Sequence, residues 1–210
     1  MTPPPTERRS PIPARAPFVV LLAAGASRRF GSPKALALLD GKPLLAHALQ
    51  TARSFAGDRY RVVLGHHHAE ILSAIPVEAA HRVVLSNSTG LADSLRAGLA
   101  ALPDDSECAL IMLADQPALR VCDLDQLARA WESAPEHAAA TLHAGVPGAP
   151  CILPRSLFQA AIQLRGDRGA QALLRKQRQL TTIELPAATI DVDTPGDLER
   201  YRLIAHNERR

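Results

Sequence analysis

Aromatic residues make up only 3% of this 210-residue chain, with one tryptophan and two tyrosines among them. A core built almost without rings must consist of Ala, Leu, Val and Ile, which the 47% hydrophobic share supplies. A chain of this length can bury such a core in one domain. The same scarcity removes the stacking platforms on which single-stranded nucleic acids lie, so the formal net charge of +3 is weak evidence for such a partner. Seven arginines (Arg8, Arg9, Arg15, Arg200, Arg202, Arg209 and Arg210) fall in the first fifteen and last eleven residues, which makes much of the excess terminal. The three cysteines, Cys108, Cys122 and Cys151, show neither a disulfide framework nor the paired spacing of a zinc site. Isolated thiols read as small core residues and point to a reducing, cytoplasmic setting. No apolar run approaches the ~20 residues that span a bilayer, so no membrane partner is expected. Residues 1–17 lack the apolar centre of a secretory signal. Their prolines predict an extended, disordered tail, followed by a single domain over 18–205 and a polar tail over 206–210.

From Phe18 the pattern changes. Phe18 to Ala23 is an apolar run ending near Gly25, as a buried strand does when it feeds a loop. Leu36 to Leu39 leads to an Asp40-Gly41 turn, and Pro43 suits the first residue of a helix to about Arg53. Arg61–Leu64, Arg82–Leu85 and Ala109–Leu113 read as strands. His68–Ala74, Leu91–Leu102 and Asp123–Ser133 read as helices. That alternation predicts a three-layer α/β/α, Rossmann-like fold on a mostly parallel sheet. Further on, Ala138–His143 is strand-like, Gly145 to Pro150 reads as a loop, and Pro154 opens a helix to about Leu164. Another helix is expected at Ala170–Lys176, a last strand near Ile190, and a C-terminal helix from Pro195 to about Ala205.

In an open parallel sheet, ligands bind beyond the carboxyl ends of the strands. The stretch L-L-A-A-G-A-S-R-R-F-G-S-P-K, Leu21 to Lys34, lies at such an end. It has no G-x-G-x-x-G, since nothing but other residues separates Gly25 from Gly31, and no contiguous G-K-[ST]. It does carry Gly25 for close backbone approach, a hydroxyl in Ser27, a planar fork of donors in Arg28 and a point charge in Lys34, all suited to a polyphosphate. Arg29 reads as a solvated loop residue.

A triphosphate needs a hard cation, and Mg²⁺ takes one or two carboxylates together with phosphate oxygens. Asp115, in the A-D-Q-P that closes the Ala109–Leu113 strand, and Asp193, in D-V-D-T-P-G-D-L, are the candidates. Asp115 could instead serve a turn before Pro117, and Asp193 could cap the last helix. Asp191 and Asp193 point to opposite faces of an extended segment, so only one reaches the metal, with Asp193 preferred. Asp197 reads as a structural charge in the first helical turn. His66-His67-His68 reads as solvated loop and helix start, and Trp131 as core.

The pattern L-A-A-G-x-S-x-R-x-G-x-x-K resembles the signature of nucleotidyltransferases with a glycosyltransferase-A-like fold. Its L-A-A-G lead and Ser27 resemble the molybdenum cofactor transferase branch within the MobA-like NTP transferase family. The resemblance runs through nearly all of residues 18–204. It implies nucleotide contacts at Leu22, Ala23, Ala24, Gly25, Ser27, Arg28 and Lys34, and, from the N-x-x-G-x-x-x-S-L-R-x-G-like element, at Asn87, Gly90 and Ser94. It makes Arg28, Lys34 and Asp115 catalytic and Asp115 with Asp193 the metal ligands. Pro150 and Asp167 would lie on the acceptor side, although Ala149 stands where that branch usually has His. L-A-A-G resembles the cytidylyltransferases (MocA-like), and a methyl at Ala24 would narrow the room beside the base. The implied reaction is Mg²⁺-dependent transfer of CMP from CTP to the terminal phosphate of molybdopterin, the product passing to a molybdoenzyme. The alternatives are a guanylyltransferase using GTP, a sugar- or polyol-phosphate nucleotidyltransferase, and a non-catalytic chaperone of molybdenum cofactor.

Overall fold

A computed structural model describes residues 17–86 and 90–207. Among these residues, seven strands form one sheet in the order β5-β4-β1-β6-β8-β7-β9. They are β1 (Phe18–Ala23), β4 (Tyr60–Leu64), β5 (Arg82–Val84), β6 (Cys108–Leu113), β7 (Ala138–His143), β8 (Val146–Pro154) and β9 (Leu180–Ile183). A two-stranded hairpin, β2 (Leu38–Leu39) and β3 (Lys42–Pro43), stands apart. The helices are α1 (Leu44–Ala56), α2 (His68–Ala74), α3 (Leu91–Ala100), α4 (Val121–Glu132), α5 (Phe158–Ile162), α6 (Ala170–Leu174) and α7 (Pro195–Asn207).

Side-chain alternation along β1 shows how the layers arise. Val19 and Leu21 face one cluster, with Leu45 of α1 and Leu124, Leu127 and Trp131 of α4. Val20 and Leu22 face the other, with Leu95 of α3, Phe158 of α5 and Leu173 of α6. Successive residues of a strand point to opposite faces, so a central strand covered by helices on both sides must be apolar throughout. The chain is therefore a three-layer α/β/α fold on a mostly parallel sheet. β5, β4, β1 and β6 run parallel. β8 runs antiparallel to both β6 and β7, and β7 is parallel to β9.

Three expectations need correction. Gly145 to Pro150 is not a loop but mostly strand: β8 begins at Val146 and pairs as a hairpin with β7. Its two prolines and glycine hide the strand because they carry no strand propensity. Residues 154–157 consequently end β8 and make a short 3-10 turn before α5. The last strand is β9 rather than a segment at Ile190, where the chain leaves a 3-10 turn without joining the sheet. Pro43 precedes α1 as its cap instead of forming its first turn. The Asp40-Gly41 turn is as expected, with φ of 50° and 76°, the pair that a tight two-residue hairpin requires.

Trp131 is core, and Cys108 and Cys151 are buried. Cys122, expected in the core, is exposed on α4. Among the described residues, no helix is long and apolar enough to cross a membrane.

Candidate active site

The loop after β1 folds on itself before any ligand is considered. Ser27 adopts φ +52°, and its carbonyl accepts from the amides of Phe30 (2.9 Å) and Gly31 (3.2 Å). The Ser27 hydroxyl oxygen accepts from the Lys34 amide at 2.9 Å, which closes the loop and aims the Lys34 side chain back over the sheet edge. Gly25, Arg28 and Arg29 are exposed along its outer side. A Cβ at Gly25 would meet no protein atom within 4 Å, so its absence leaves open room.

The end of β6 lies beside this loop, because the Ala114 amide donates to Leu22 O at 3.1 Å. Asp115 follows, and its carbonyl accepts from Val192 N at 2.9 Å, which draws the 191–194 segment to the same edge. A small apolar cluster reinforces this: Val192 and Leu198 pack with Leu39 and Leu44, and Phe30 of the loop packs against them. The sequence thus brings three distant segments together.

Lys34 is where they meet. Its Nζ lies 2.7 Å from Asp115 Oδ2 and 3.1 Å from Asp193 Oδ1. Burial alone would lower the Lys34 pKa, but the charges and hydrogen bonds of Asp115 and Asp193 outweigh it and hold the ammonium above its ordinary value. Arg29, expected to be merely solvated, reaches Asp193 Oδ2 at 3.1 Å. Asp193 is free for this because it is not the helix cap. Thr194 Oγ1 accepts from the Asp197 amide at 3.2 Å, and Asp197 Oδ2 accepts from the Thr194 amide at 2.9 Å, a reciprocal cap at the start of α7. The Thr194 hydroxyl also donates to Asp197 Oδ2 at 2.8 Å, and the bonds that this carboxylate accepts from the Thr194 hydroxyl and amide lower its pKa. Asp191 reaches solvent yet is partly stripped of water; that desolvation, with Asp115 and Asp193 nearby, raises its carboxyl pKa.

Beyond Asp115, Gln116 is buried, and its Nε2 donates to Ala188 O (2.8 Å) and Ala149 O (3.2 Å). Pro150, expected on the acceptor side, is buried within β8 after a cis Ala149–Pro150 peptide, and its carbonyl accepts from Thr141 Oγ1. On the other side of the loop, Gly90 precedes α3, and Ser94 is buried in it. A Cβ on Gly90 would strike the Gly166 backbone and come within 2.7 Å of Asp167 Oδ1. Asp167 therefore stands against the start of α3. Asn87 lies outside the described residues. Ala24 is only 7% exposed, and a Cβ on Gly65 would lie 3.0 Å from the Ala24 methyl. That methyl belongs to the core cluster that also holds Val63 of β4.

Among the described residues, no group of three or more His, Cys, Asp and Glu side chains is gathered for a metal. Two carboxylates converge on one ammonium, and Asp115 Oδ1 is buried with no hydrogen-bond partner. A hard cation completed by phosphate oxygens suits that donor set.

Residues 19–181 match the family described as the MobA-like NTP transferase domain. A curated relative, the bifunctional protein GlmU of Burkholderia mallei, is 36% identical over 114 residues, covering 53% of this chain and 25% of that protein. The chain thus spans about a quarter of the length of that relative. A solved homolog of Mycobacterium tuberculosis rv0371c from mycobacterium sp. strain JC1 superposes with TM-score 0.79 at 30% identity, covering 90% of this chain and 96% of that one. The manganese complex of Rv0371C from Mycobacterium tuberculosis H37Rv superposes with TM-score 0.75 at 26% identity, covering 87% and 95%.

Proposed function

The chain belongs to the MobA-like NTP transferase family and is a nucleotidyltransferase, and from that premise we propose that it transfers CMP from CTP to the terminal phosphate of a molybdopterin-type cofactor and releases pyrophosphate. The observation that carries the transfer site is Lys34, set between Asp115 and Asp193 at the end of a loop with open backbone at Gly25.

In this reading the triphosphate lies along Leu22 to Lys34. Loop amides, Arg28 and Lys34 take its phosphate oxygens, and Lys34 exchanges its carboxylate partners for phosphate. Gly90 and Ser94 border the nucleoside. Asp115 and Asp193 hold Mg²⁺, which supplies charge neutralisation to the triphosphate. The manganese complex of the mycobacterial relative supports a divalent cation. One oxygen of the acceptor phosphate forms a bond to the α-phosphorus, and the bond from the α-phosphorus to the bridging oxygen of pyrophosphate breaks. The acceptor is already anionic, so no protein base is needed; the chain positions the reactants and stabilises charge. CTP is preferred because L-A-A-G resembles the cytidylyltransferases. The A-D-Q-P and G-D-R-G-A segments resemble the molybdenum cofactor branch and select the acceptor. A molybdoenzyme would receive the product.

Purified protein with Mg²⁺, CTP and molybdopterin is expected to release pyrophosphate, with GTP and sugar phosphates as poor substitutes. Asp115→Ala is expected to abolish turnover and keep the fold. Release only with GTP would replace the nucleotide, and release only with a sugar phosphate would replace the acceptor. Cofactor binding without release from any pair would make the protein a carrier.

A further inference from the structure

The order of the sheet divides the site. In the transferase reading the nucleoside borders the start of α3, beside β4 and β5 on one flank of β1, while β6 and Asp115 lie on the other flank. The next elements outward are β8 and β7, so an acceptor approaching from the side away from the nucleoside meets their hairpin. Between Ala138 and Pro154, the residues of that hairpin, His143 is the only side chain able to carry positive charge.

His143 is also held in one orientation. Its Nε2 lies 2.7 Å from Ala149 O, and a carbonyl only accepts, so Nε2 carries a proton and donates it there. Nε2 is also 3.1 Å from Thr141 Oγ1, whose own hydroxyl is within reach of Gly148 O (3.3 Å) and Pro150 O (3.2 Å). A Cβ on Gly148 would lie 3.0 Å from His143 Cδ2 and 3.2 Å from Nε2, so glycine is what lets the ring lie flat against β8. With the Cδ2–Nε2 edge occupied, the Nδ1–Cε1 edge faces away from the hairpin. The ring is half-buried, and it shares the Ala149 carbonyl with Gln116, the residue that follows Asp115.

We propose that His143 binds the acceptor as an imidazolium, donating its Nδ1–H to a phosphate oxygen of a phosphomonoester and holding that group beside the α-phosphate of the bound nucleotide. This rests on the transferase reading but not on the identity of the acceptor.

The test is steady-state pyrophosphate release by the full chain with Mg²⁺ and saturating CTP, with molybdopterin or glucose 1-phosphate varied, for wild type, His143→Gln and His143→Ala. Glutamine can keep the donor to Ala149 O while losing the Nδ1 edge. The expected result is a rise of about tenfold in acceptor KM for both variants, with CTP KM unchanged and the melting temperature of His143→Gln equal to wild type. If His143→Gln matches wild type in acceptor KM, or if only CTP KM or melting changes, His143 is a hairpin support and the proposal falls while the transferase reading stands. A rise in KM for glucose 1-phosphate in a protein inactive with molybdopterin keeps the proposal and overturns the molybdopterin acceptor. No release from wild type with either acceptor overturns both.

Discussion

At the scale of single residues, the site is organised by groups that lack an ideal partner in the protein. Asp115 Oδ1 is buried with nothing to bond, and Lys34 answers two carboxylates at once. A buried unpaired carboxylate oxygen is costly unless a ligand completes it. Thiols show the opposite case. Burial pushes Cys108 and Cys151 up to about 12, so neither carries appreciable thiolate at pH 8. Cys122 is exposed. Brief iodoacetamide treatment of the native protein at pH 8 is therefore expected to modify one cysteine, Cys122, and mass spectrometry of tryptic peptides reads it; rapid labelling of Cys108 or Cys151 would show that the strands carrying them open. Arg29 was legible only as a loop arginine, because nothing in the local sequence says that Asp193 lies across from it. Asp197, by contrast, was legible as structural, since T-x-x-D at a helix start is a local pattern.

Elements meet here through close approaches that side chains would block. At the end of β4, a Cβ on Gly65 would lie 2.5 Å from Ala24 O, the backbone at the start of the loop after β1. Gly65→Ala must push loop and strand apart. The expected cost is roughly 1–3 kcal/mol, as for other overpacked sites, and a melting temperature lower by roughly 2–4 °C for each kcal/mol in a chain of this size. CTP KM should rise with it. A differential scan together with CTP titration checks both, and an unchanged melting temperature would mean that the loop yields freely. Long apolar elements such as β1 and β6 declared themselves in sequence, but β8 did not: Pro147, Gly148 and Pro150 read as loop, and only antiparallel pairing with β6 and β7 makes the segment a strand.

For the whole molecule, the two ends of the chain's active segment are tied through the site. Lys34 and Asp193 are 159 positions apart and share a 3.1 Å hydrogen bond. A ligand that joins these segments should stabilise the entire fold. At a hundredfold excess over its dissociation constant, CTP with Mg²⁺ is expected to add about 2.7 kcal/mol. The shift should be much smaller with CTP and EDTA or in Asp115→Ala. Equal shifts with and without Mg²⁺ would argue that Asp115 and Asp193 hold no cation. By itself, the sequence determined the α/β alternation, the apolar central strands and the open glycine- and arginine-bearing loop after β1, because each rests on local periodicity, backbone freedom or charge within a few residues. Tertiary structure alone decided that Lys34 joins Asp115 to Asp193, that Arg29 reaches Asp193, and that the Ala24 methyl turns into the core against the end of β4. Those are contacts between segments far apart in the chain, set by strand order and packing, and no local pattern encodes them.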